Sequence, residues 1–214
     1  RLFGGQSISV IGDFMFTTTL VIWVKLLTTG QSWSPLAVAA VPLAAAIPMA
    51  FLGPLAGVFV DRWDKRRTML RTDVLRAVVV ALMLLATGVV PLPGLAGGQP
   101  TLTMKLAAVY TTVFIVNAAD RFFRPGQMAL VGDLVAPDLQ PRAFGLTQST
   151  YSLAIIIGPP VAAPLLIAFG PQWALGIDAG TFLLSVLTLL AIRAPKAAMN
   201  VVAGEQRQHG EEKG

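Results

Sequence analysis

Long apolar runs alternate with short polar gaps along this chain. About 20 apolar residues wound as a helix, at roughly 1.5 Å each, cover the ~30 Å hydrocarbon core of a bilayer. The pattern predicts six such spans, at about residues 2–28, 35–60, 68–90, 104–123, 143–169 and 172–192. Residues 1–193 then make one six-helix transmembrane domain, and the polar residues 194–214 a tail or linker. The expected fold class is all-α integral membrane. Pro42, Pro48 and Pro54 punctuate the second span. Each removes a backbone donor and favours a bend, which neighbouring helices in a membrane tolerate. Trp23 and Lys25 suit the interface at the end of the first span. After the fourth span, Met128, Leu130, Val131, Leu134 and Val135 predict a short helix lying on the membrane surface.

Charge orients the spans. Arg62, Lys65, Arg66, Arg67, Arg71 and Arg76 gather at the gap between spans two and three. Arg121, Arg124, Arg142, Arg193 and Lys196 fall on the same side, and Lys25 and Lys105 on the other. By the positive-inside rule both termini are expected in the cytoplasm, with spans two and three as a tight hairpin.

Composition agrees with a membrane protein. The 214 residues are 55% hydrophobic and 13% charged, where soluble chains carry about a quarter charged. The net charge of +5 sits in the gaps, so it reads as topology and not as a nucleic-acid footprint. The first apolar block is too long for a cleavable leader. There is no cysteine, and His209 lies in the polar tail. No metal-ligand cluster, cofactor motif or nucleophile pattern stands out, so no enzyme is expected.

The residues that stand out chemically are charges inside apolar runs. Asp13 lies about ten residues into the first span, roughly 15 Å deep. A carboxyl there must face the bundle interior or a watery cavity, which suits it to carry a proton. The alternative is a structural carboxyl, protonated or hydrogen-bonded to Thr17 or to a group of the fourth span such as Asn117. Asp178, nearer the end of the sixth span, is the lesser candidate, since water reaches that depth more easily. Asp73 and Arg76, three apart, are placed to pair. Gly53, Gly57 and Asp61 share a face of the second span, where small residues let a neighbouring helix approach closely.

Gly57-x-x-x-Asp61-Arg62-x-x-Lys65-Arg66 resembles the signature loop between helices 2 and 3 of the major facilitator superfamily. Asp64 replaces the usual glycine, a variant similar to the drug:proton antiporter branch with the enterobactin exporters and macrolide-efflux proteins. In the fifth span, Ala154-x-x-x-Gly158-Pro159-x-x-Ala162-Ala163 resembles the antiporter motif of drug exporters, with alanine at three glycine positions. Ile177-Asp178-Ala-Gly-Thr-Phe is also similar to that branch. The resemblance implies half of a twelve-helix transporter in the plasma membrane, partnered by a second six-helix half. It implies proton-driven export of a small amphiphilic molecule such as a drug or siderophore. It further implies a latch in which Asp61 and Asp120 pair with Lys65, Arg66 and Arg121. Gly158 and Pro159 would mark a bend. A lipid transporter of the same superfamily and a non-transporting scaffold are the alternatives.

Overall fold

The computed structural model describes residues 2–89 and 100–191, and within them all side chains except those of 2–8, 55, 58–62 and 134. The expected tail and the Pro/Gly-rich gap at 90–99 lie outside the described residues, as do the side chains of Asp61 and Arg62. The described residues form six helices and no strand: α1 (Leu2–Leu27), α2 (Ser34–Arg62), α3 (Lys65–Ala86), α4 (Leu102–Leu134), α5 (Gln140–Phe169) and α6 (Pro171–Ala191).

Local chemistry sets several boundaries. Gly30, at φ 84°, turns the chain between α1 and α2. The hydroxyls of Thr28 and Ser34 close that turn at 2.8 Å. Asp64 caps α3 by accepting from the Arg67 amide at 2.8 Å, and Thr101 caps α4 through the Met104 amide. Such caps satisfy helix N–H groups that have no partner within the helix. Asp64 at the usual glycine position of the loop is thus a helix-starting residue.

Two expectations about helices are corrected. The fourth span does not end at Phe123. It continues through Pro125 to Leu134, 33 residues in all. Arg124 Nε donates to Asp120 Oδ2 at 2.8 Å, and this one-turn bridge supports the helix where proline removes a backbone bond. The apolar residues assigned to a surface helix belong to α4. Leu130 pairs there with Met69, Phe123 and Leu189 in a small buried cluster. Second, α2 and α3 do not lie together as a hairpin, although only Trp63 and Asp64 separate them. Both pack instead along α4, while α1 packs chiefly on α5 and α6.

The main core joins Phe16, Leu20 and Val24 of α1 to Val41, Val80, Val109, Val113 and Phe182. Trp23 also belongs to this core, buried among the helices. The outward faces are also apolar: Leu36, Phe51 and Ile167 are each more than 70% exposed. Apolar surface on both sides of the helices is what lipid contact requires. Five of the six described helices are long and apolar enough to cross a membrane. The remaining one, α3, is interrupted by Arg71, Asp73 and Arg76.

Candidate functional site: a buried charge cluster

Small residues bring the helices of the site together. A Cβ on Gly12 of α1 would lie 2.5 Å from Thr181 Oγ1 and 2.9 Å from Asp178 Oδ1, so α6 crosses α1 in direct contact. A Cβ on Gly158 of α5 would lie 2.7 Å from the Phe14 Cβ, against the α1 backbone. Ala154, Gly158 and Ala162 recur every fourth residue and are all buried. They form the small-residue stripe that close helix packing in membranes uses. The alanine replacements in the motif therefore keep its packing function. α5 passes through Pro159 as one uninterrupted helix.

Arg76 of α3 is the centre of the cluster. It is 1% exposed, the largest fully buried side chain among the described residues. Its guanidinium lies 3.1 Å from Asp120 of α4 and 3.7 Å from Asp73, one turn back on α3. The rings of Phe123 and Phe182 flank it, with centroids 4.8 and 5.5 Å away, an attraction of cation and π-face. The Ser185 hydroxyl of α6 donates to Asp73. Asp120 also binds Arg121 and Arg124. Arg124 in turn lies 4.2 Å from the Tyr151 ring of α5, which stacks edge-on against Phe14. Three helices thus supply the ion pairs and the hydroxyl that offset desolvation of this charge, while Asp73 Oδ1, Arg76 Nε and Arg121 Nε have no hydrogen-bond partner among the described residues.

Asp13 lies beside this cluster. Together with Asn117, Asp120, Arg121, Arg124 and Tyr151 it lines a partly open cavity of about 110 Å³. Its electrostatic surroundings are Arg76, Asp120, Arg124 and Asp73. Neither expected hydrogen bond to its carboxyl forms. Thr17 donates to the Asp13 backbone carbonyl at 3.1 Å, and Asn117 donates to Val113. Both turn back onto their own helices, a local bond that short polar side chains readily make.

Asp178 is not water-accessible, contrary to expectation. It is 0% exposed, and neither carboxyl oxygen has a hydrogen-bond partner among the described residues. Gly12 explains this: without a side chain it lets α1 close over the carboxyl. Arg76 is corrected as well, being a buried structural cation and not part of the surface charge of the loop.

Of the contacts that the latch pattern implies, the Asp120–Arg121 pair forms, whereas Lys65 and Arg66 are arranged otherwise. Lys65 reaches Asp133, at the far end of α4, at 2.7 Å. Arg66 donates to the carbonyls of Leu189 and Leu190 at 2.8 and 3.1 Å, closing the C-terminal end of α6. Neither meets Asp120, whose partners are Arg76, Arg121 and Arg124. Gly53 and Gly57 have no atom within 4 Å of an added Cβ, so the expected close neighbour is absent from the described residues. The reason is that α2 packs on α4 and leaves its other side open.

Sequence reasoning missed Arg124, Tyr151, Ser185 and the two aromatic rings around Arg76. The available signal was a charge within an apolar run, which must find partners inside the bundle.

The sequence profile of the Major Facilitator Superfamily matches residues 2–211. An uncharacterized MFS-type transporter, YkuC of Bacillus subtilis, is 28% identical over 71% of this chain and 32% of that protein. Macrolide efflux protein A of Streptococcus pyogenes is 24% identical over 91% of this chain and 44% of its own length. The putative bacilysin exporter BacE of Bacillus amyloliquefaciens is 29% identical over 88% of this chain and 42% of that protein. The chain thus spans less than half the length of these relatives. No solved structure matches it.

Proposed function

The chain belongs to the major facilitator superfamily, and on that premise we propose that it forms half of a proton-coupled exporter of small amphiphilic molecules in the plasma membrane. The two named efflux relatives support the direction of transport. The observation that carries proton coupling is the charge balance of the buried cluster. Asp13, Asp73, Asp120 and Asp178 face Arg76, Arg121 and Arg124, four carboxyls against three guanidiniums. Fully ionised, the group carries one uncompensated negative charge, and one bound proton neutralises it. A charge buried without compensation is costly, so the cluster favours taking up that proton.

Asp178 is the carboxyl for which ionisation is least compensated, having no donor within reach among the described residues. Asp13 lines the cavity, and its neighbour Gly12 abuts Asp178, which supports Asp13 as the carboxyl that exchanges with the cavity. The roles follow: Asp178 holds the proton, Asp13 exchanges it with the cavity, and Arg76 sets the field of both. The open, apolar outer sides of α2 and α5 fit a second six-helix half, against which this half would rock.

The test is transport by the full-length protein in vesicles with an imposed pH gradient. Asp178→Asn should abolish gradient-driven accumulation while downhill substrate exchange continues. Undiminished accumulation would exclude Asp178 as the proton site.

A further inference from the structure

A second chemically distinct site lies away from the charge cluster, in a groove between the first half of α3 and the middle of α4. Its volume is about 580 Å³. Arg67 and Arg71, one helical turn apart and both exposed, stand at its edge. Trp63 and Phe122 stack at its head, with ring centroids 6.1 Å apart. Leu75, Ala118 and Ala119 form its apolar floor. Arg67 shares the Asp64 carboxylate at 3.8 Å, whereas Arg71 pairs with no carboxylate among the described residues.

The face that carries the arginines continues down α3 without another charge. Val74, Leu75, Val78, Leu82 and Leu85 follow at one-turn spacings and are all exposed. From Arg71 to Leu82 is roughly 16 Å of helix, about half of the ~30 Å hydrocarbon thickness. A pair of cations and an aromatic platform therefore sit at one end of an apolar track one leaflet deep. Aromatic rings and arginines at that position mark the headgroup level.

We propose that this groove binds an anionic phospholipid, its phosphate between Arg67 and Arg71 and an acyl chain along Leu75, Val78 and Leu82. Charge complementarity selects the anionic headgroup, and the apolar stripe selects a lipid over a soluble anion. A lipid seated here bridges α3 and α4, the two helices that supply Arg76 and Asp120 to the buried cluster.

The test uses the full-length protein in detergent, with lipid occupancy read by native mass spectrometry and stability by thermal melting. The probes are phosphatidylglycerol, phosphatidylcholine and inorganic phosphate. Phosphatidylglycerol should be retained preferentially and raise Tm more than phosphatidylcholine. Each arginine near a membrane surface is worth about fivefold in anionic-lipid affinity, so Arg67→Gln with Arg71→Gln should weaken that affinity roughly thirtyfold, read as lower occupancy at limiting lipid. Arg142→Gln, an exposed arginine outside the groove, should leave it unchanged. Equal retention of the two lipids by the wild-type protein would overturn the proposal, whatever the folding of the variants. So would stabilisation by inorganic phosphate alone, or undiminished occupancy in the double variant.

Discussion

The Arg76 guanidinium lies 3.1 Å from the Asp120 carboxylate, and this pair joins α3 to α4 inside the bundle. Removing Asp120 takes a carboxylate from three arginines at once, and removing Arg76 takes a cation from Asp73 and Asp120, so each change unbalances a buried charge network at a cost of about 3–5 kcal/mol. Asp120→Asn and Arg76→Met should each lower the Tm of the full-length protein sharply. The double variant should lose less than the sum, because both single changes break the same Arg76–Asp120 contact. Strictly additive losses would show that the two residues act independently.

Asp13→Asn should separate binding from driving force. Its carboxyl lines the cavity, while its neighbours hold the cluster together without it. Substrate binding and downhill exchange should survive, and accumulation driven by a pH gradient should disappear in vesicle assays. Normal pH-driven accumulation would leave Asp178 to act alone.

The glycines of α5 and α2 should respond in opposite ways. Gly158→Val places a branched side chain where an added Cβ already meets α1 at 2.7 Å. Overpacking of this kind costs about 1–3 kcal/mol, read as a fall in Tm. Gly57→Val meets nothing within 4 Å in the described structure. It should leave insertion and the melting of this six-helix unit unchanged, and impair transport only if a second half packs there. A large loss of stability for Gly57→Val would show that its face is already occupied.

Topology is open to direct labelling. Single cysteines at Ser32, between α1 and α2, and at Asp138, between α4 and α5, stand on exposed turns three helices apart. With an odd number of spans between them, an impermeant thiol reagent added outside cells should label Ser32→Cys and not Asp138→Cys. Equal labelling would contradict the six-span arrangement with cytoplasmic termini.

Asp64 gives a local test of the connecting turn. Asp64→Ala removes the cap of α3 and should cost about 1 kcal/mol. Asp64→Asn, which retains a capping oxygen, should recover most of it in the same melting experiment. Equal losses would assign the effect to charge and not to the cap.

The helices were legible because apolar runs of membrane length have few other solutions, and α1, α5 and α6 end within a residue or two of where the hydrophobic pattern stops. The end of α4 was not, since Pro125 argues locally for a stop and the Asp120–Arg124 bridge that sustains the helix depends on side-chain geometry. Asp13, Asp178 and Asp120 announced themselves as charges in or beside apolar runs. Their partners did not: Arg76 looked like one more basic residue of a loop, and only the crossing of α3, α4 and α6 shows it surrounded. The latch pattern was readable as a motif, but its reach was not. Lys65 and Arg66 find Asp133 and the end of α6, more than sixty residues away in sequence.

The unbroken course of α4 gives the protein a lever. Its 33 residues make a rod of about 50 Å. The charge cluster sits near its middle, at Asp120, and the Lys65–Asp133 contact at its tip. Rotating such a rod by about 5° around its middle swings each end by roughly 2 Å, enough to part a contact of 2.7 Å. A change in charge around Asp120 that tilts α4 slightly is thereby amplified into the making or breaking of a bond at the protein's edge. On the proposed function, a proton taken up in the interior would be geared to the surface contact at Asp133 through this one helix.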